Sequence, residues 1–96
     1  MIKANEAKKN VIEYHERVFL ATEHKVNEII ETMSESIEFH SKNGFTELVF
    51  TPYDNSRFNT DEIKSMASMI FQAILISNDY EIVKNDWQNN ILKIRW

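Results

Sequence analysis

From Val11 to Ile37 the chain repeats one interval. Apolar, small or imidazole side chains stand at Val11, His15, Val18, Thr22, Val26, Ile29, Met33 and Ile37, at steps of four and three. That spacing marks one face of an α-helix. Neither Gly nor Pro interrupts the run from about Asn5 to Lys42. It predicts a single helix of roughly 38 residues which, at ~1.5 Å per residue, is about 57 Å long. A compact chain of about 100 residues has a radius of gyration near 13 Å. A rod of that length overhangs its own domain, bends, or packs against another copy. The apolar face is also wide. Ala4 and Ala7 extend it, Ile12, Phe19 and Ile30 broaden one side, and Leu20 stands nearly opposite it. Glu28, Glu31, Glu35 and Glu38 form a separate stripe, read as a solvated face. Asn5 is a cap-type residue for the start, with Glu6 in the first turn. Gly44, the only glycine, fits a left-handed residue just past the end, with Lys42 suited to the last turn.

After Gly44 the period changes to two. Phe45 to Thr51 reads as a strand, with Leu48 and Phe50 alternating against Glu47, Val49 and Thr51, and Pro52 ending it. Tyr53 to Phe58 is a polar loop. Asn59 and Glu62 have the spacing of a capping box, and Phe58 and Ile63 that of a hydrophobic staple. The helix that follows runs to about Ser77. Ile63, Met66, Ala67, Ile70, Ala73 and Ile74 mark its buried face, with Phe71 and Leu75 beside it. Met33, Met66 and Met69 read as adaptable core filling. Asn78-Asp79 stops the helix, with Asn78 tolerating the left-handed conformation. Tyr80 to Lys84 and Ile91 to Trp96 are two more strands around an Asn- and Asp-rich turn, and pair as a hairpin. The first strand is either a parallel neighbour of the second or separated from it by the third. The prediction is an α+β chain: a long N-terminal helix followed by β-α-β-β, the three-stranded sheet carrying helices on one face. Residues 1–96 form one domain, with 1–44 the long helix and 45–96 the β-α-β-β unit.

Composition narrows the class. Apolar residues make up 43% of the 96, including six Phe, three Tyr and two Trp, enough for a packed core. Cysteine is absent, which excludes disulfides and thiolate metal sites. The start, Met-Ile-Lys-Ala-Asn-Glu, shows no secretion signal, and no run reaches the ~20 apolar residues of a membrane span. A cytoplasmic protein is expected. A formal net charge of −4 disfavours nucleic acid and anionic membranes as partners.

No constellation carries catalysis. His15, His24 and His40 lie too far apart along one helix to share an ion, so no metal and no cofactor is expected. His15 reads as partly buried, and His24 with Glu28 as a surface pair. No serine stands in a glycine-bearing elbow, and one glycine cannot build a phosphate-cradling loop. The expectation is a protein without enzymatic activity. Two candidate surfaces remain. Ile12, Phe19, Leu20, Val26 and Ile30 are the candidate oligomer interface, with contact to the rest of the same chain the alternative for Phe19 and Leu20. Tyr53, Asp54, Asn55 and Arg57 are a candidate ligand or partner loop, in which Arg57 can fork an anion and Tyr53 can stack or anchor; the favoured reading of the same residues is a turn that caps the second helix.

Ala4-Asn5-Glu6-Ala7, the lone Gly44, Tyr80-Glu81-Ile82-Val83 and the terminal Ile94-Arg95-Trp96 resemble the layout of small phage-encoded accessory proteins of unassigned function. Asp79 stands where that layout usually has Gly. The resemblance spans almost the whole chain and implies a viral protein acting in the host cytoplasm. It transfers no catalytic residue. The sequence thus favours a homo-oligomeric binding protein, a phage accessory factor that occupies a host or defence protein as an inhibitor does. An alternative is a protein that sequesters a nucleotide-like anion between subunits, through Arg57, Tyr53 or the Lys93/Arg95 edge. A minor virion or assembly component is a third reading.

Overall fold

The computed structural model describes all 96 residues. Helix α1 (Ala4–Lys42) is followed by strand β1 (Glu47–Phe50), helix α2 (Asp61–Ser77) and strands β2 (Glu81–Asp86) and β3 (Ile91–Arg95). The α+β expectation holds. The molecule measures 63 × 24 × 19 Å, with a radius of gyration of 16.4 Å. Its long dimension is that of α1, which is continuous through Thr22, Glu23 and His24.

β3 is the central strand, antiparallel to β1 on one side and β2 on the other. Of the two arrangements the sequence left open, the one with β3 between β1 and β2 occurs. Alternation of side chains across the pleat sends Leu92 and Ile94 inward, where both are fully buried. They meet Val26, Met33 and Ile37 from α1 and Ala67, Phe71 and Leu75 from α2, with Tyr53 and Phe58 closing the core from the loop. The other sheet face carries charge. Arg95 lies opposite both Glu47 and Glu81 and pairs with them at 3.1 and 3.5 Å, and Lys93 reaches Glu47 at 3.4 Å.

Helix ends follow local chemistry, with small shifts from expectation. α1 begins at Ala4 with Lys3 in the cap position and no side-chain cap, so Asn5 lies inside the helix. Both helices end in Schellman loops. Phe45 N–H reaches His40 C=O and Gly44 N–H reaches Ser41 C=O, with Gly44 left-handed at φ 86°. The same pattern joins Tyr80 to Leu75 and Asp79 to Ile76, and there Asp79 takes the positive φ, 67°, rather than Asn78. Asn78 instead donates its side-chain amide to Ile74 C=O. The cap of α2 is Thr60, whose Oγ1 accepts from Ile63 N–H at 3.2 Å. Asn59 and Glu62 therefore do not form a capping box. Asn59-Thr60-Asp61 offers three consecutive cap formers, and packing chooses the middle one.

The buried stripe of α2 is also rotated from the expected one. Ala67, Ser68, Phe71 and Leu75 face the core, while Ile63, Met66, Ile70 and Ile74 are half-buried and Ala73 is exposed. Met69, expected as core filling, is 72% exposed. The apolar surface of α2 is thus wider than the stripe its own sheet covers.

Candidate functional site

The body of the molecule covers only the second half of α1. The first buried side chain along the helix is Thr22, whose hydroxyl donates back to Val18 C=O at 2.8 Å. N-terminal to it only Ala7 and Val18 are half-buried, and the rest of the apolar pattern is exposed. Val11, Ile12, Tyr14, Phe19 and Leu20 are between 43% and 61% exposed. His15, expected to be partly buried, is exposed with them.

This boundary divides the candidate interface residues. Ile12, Phe19 and Leu20 stand on the surface of the overhang. Val26 does not. Its side chain is fully buried among the core residues, and Ile30 is packed half-buried against the same cluster. Both belong to the intrachain core, so neither is available as a contact surface.

The wide apolar face of α2 and the base of the overhang enclose a groove. Phe19, Glu23 and Asn27 form its α1 wall, and Met66, Met69 and Ala73 stand on its α2 wall. Its volume is about 750 Å³. Ile12 and Leu20 border a second shallow depression that shares Phe19, so the apolar surface continues from the groove up the overhang. Met69, Ala73 and Ile76 carry it down the outer face of α2. The sequence signal for this groove was present in Met66, Met69 and Ala73, but a correct rotation of α2 is needed to see that they face outward.

The candidate loop is built differently from its expected use. Tyr53 is 1% exposed and cannot stack on a ligand. Its ring meets Phe71 edge-on at 5.6 Å, and its hydroxyl donates to Asn85 Oδ1. Asn85 donates in turn to Ser68 C=O at 3.2 Å, and Tyr53 N–H donates to Asn90 Oδ1 at 2.6 Å. Tyr53 thereby ties the loop to α2, β2 and the β2–β3 turn. Burial pushes its phenol up to about 12, with the hydrogen bonds of Ser68 and Asn85 pulling the other way. Asp54 holds the turn together. It accepts from the Ser56 hydroxyl at 2.6 Å and Arg57 N–H at 2.9 Å, and its carboxyl is held low by Ser56 first and by Arg57. The Arg57 guanidinium lies 3.5 Å from Asp54, and Asn55 accepts from Lys64. Only Asn55 and Arg57 of the four are exposed. The Lys93/Arg95 edge is neutralised by Glu47 and Glu81, and these cations lower the Glu47 pKa, Arg95 first.

His24 and Glu28 stand 2.9 Å apart on the surface of α1. No three His, Asp or Glu side chains converge as metal ligands would, and no helix is long and apolar enough to cross a membrane. No protein family, curated protein or solved structure matches the chain.

Proposed function

We propose that this protein is a non-enzymatic, self-associating binding protein, an accessory factor of the phage type that works by occupying a protein partner. The observation that carries this reading is the position of Ile12, Phe19 and Leu20. They are exposed on a stretch of helix that contributes nothing to the core of its own chain. Most helical stability in proteins comes from tertiary packing, which this segment lacks within its own chain. Apolar patches of this kind mark interaction surfaces. Covering the overhang with a second copy satisfies both conditions. The resemblance of Ala4-Asn5-Glu6-Ala7 and Ile94-Arg95-Trp96 to small phage proteins supports the accessory role.

Sedimentation equilibrium on the intact chain is the test. At micromolar concentration the expected mass is a multiple of 11.4 kDa, falling on dilution. A single species of 11.4 kDa throughout the micromolar range overturns the reading.

A further inference from the structure

The groove between α1 and α2 has walls of carbon and a rim of carboxylate. Phe19, Met66, Met69 and Ala73 supply the walls; Glu23 and Glu62 line it from opposite helices. The first turns of the overhang have the complementary character. Between Lys3 and Val11 three lysines, Lys3, Lys8 and Lys9, stand against the single Glu6, with Lys9 also 3.9 Å from the exposed Glu13, in a chain whose net charge is −4. On the same first turns Ala4, Ala7 and Val11 continue the apolar stripe, and the two alanines permit close helix approach.

From this complementarity, and resting on the self-association proposed above, we infer that the groove of one copy receives the N-terminal turns of a second copy's α1. The two long helices run antiparallel across a two-fold axis near Glu16. Ile12 of each copy packs against Phe19 of the other. The following two turns, towards the N-terminus, then enter the groove and bring Lys8 and Lys9 beside Glu23 and Glu62. The arrangement is isologous, so it closes as a dimer and leaves no unpaired half.

The surface is large enough. Ile12, Phe19, Leu20 and Met69 are 43–72% exposed. Side chains of this size each have on the order of 100 Å² left to bury. With Met66, Ala73 and the lysine stems added, each copy reaches roughly 600 Å² per partner, the low end of a specific interface. A small molecule or a foreign helix could occupy a groove of this volume, and neither would depend on the lysines of this chain.

A charge-reversal cycle read by sedimentation equilibrium tests the assignment. Lys8→Glu with Lys9→Glu alters the overhang, and Glu23→Lys with Glu62→Lys alters the rim. None of the four side chains is buried, and circular dichroism melts confirm that each variant is folded. Each pair alone is expected to weaken the dimer about tenfold, and the chain carrying all four changes to regain most of that loss. A dimer unmoved by either pair, or weakened by both without recovery in combination, overturns the groove while leaving self-association standing. A wild-type chain that stays monomeric overturns both.

Discussion

Replacing Ile12, Phe19 and Leu20 together by Asp is expected to give a folded monomer. None of the three is buried, and the core begins further along the helix at Thr22. Three carboxylates placed on the face proposed to receive a second copy must either lose water without partners or keep the copies apart. Truncating a few central apolar anchors commonly removes most of an interface's energy. The dissociation constant should rise about a thousandfold, which is roughly 4 kcal/mol. The unfolding free energy of the monomer, measured by urea denaturation in dilute solution, should move by no more than about 1.5 kcal/mol, three surface changes at about 0.5 kcal/mol each. The contrast between the two numbers is the informative result. Loss of the fold would mean that the overhang is part of the cooperative core, contrary to its burial. An unchanged dissociation constant would mean that copies meet elsewhere.

The stability of the protein should fall between pH 10 and 12 because of Tyr53. In the unfolded chain a tyrosine ionises near 10, and in the folded chain burial raises the Tyr53 phenol to about 12. Below the unfolded pKa both states hold the proton and the contribution is intact. As pH rises past it, the unfolded chain loses the proton first, so unfolding is favoured until the folded pKa is passed. The shift from 10.0 to about 12 corresponds to roughly 2–3 kcal/mol lost across that window. Tyr53→Phe isolates this from other alkaline titrations. At pH 8 the variant should be less stable than the wild type by about 1–2 kcal/mol, because Asn85 Oδ1 loses its donor. The difference should shrink and then reverse as pH approaches 12. Parallel urea titrations of both proteins at several pH values read this directly, and curves that stay a constant distance apart would contradict it.

Much of the architecture was legible because it depends on local rules. The absence of Gly and Pro between Asn5 and Lys42 and the steps of three and four define one rod, and Gly44 marks its end. The alternation of Leu48, Phe50, Leu92 and Ile94 identifies the inner sheet face. What periodicity does not encode is where the covering body stops. Val11, Val18 and Val26 lie on one stripe, yet Val26 is fully buried and Val11 is 55% exposed. Only the placement of α2 distinguishes them, and that is a long-range contact. Tyr53 illustrates the same limit. Its polar neighbours Asp54, Asn55 and Ser56 suggest a solvated loop, but Asn85 and Asn90, more than thirty residues away, supply the hydrogen bonds that let it turn inward. The exposed groove was hidden for a related reason. A helix whose apolar residues exceed one stripe can be rotated either way, and the sheet selected Ala67, Phe71 and Leu75.

Amide hydrogen exchange along α1, followed as a function of protein concentration, tests most directly whether the overhang is completed by a second copy. Amides of Ile29 to Ile37 should be protected at every concentration, since they belong to the half of the helix held by the core. Amides of Val11 to Leu20 should exchange rapidly in dilute solution, as an uncovered helical segment does, and gain protection as the concentration rises. Exchange from Val11 to Leu20 that is equally slow, or equally fast, at all concentrations would contradict the account.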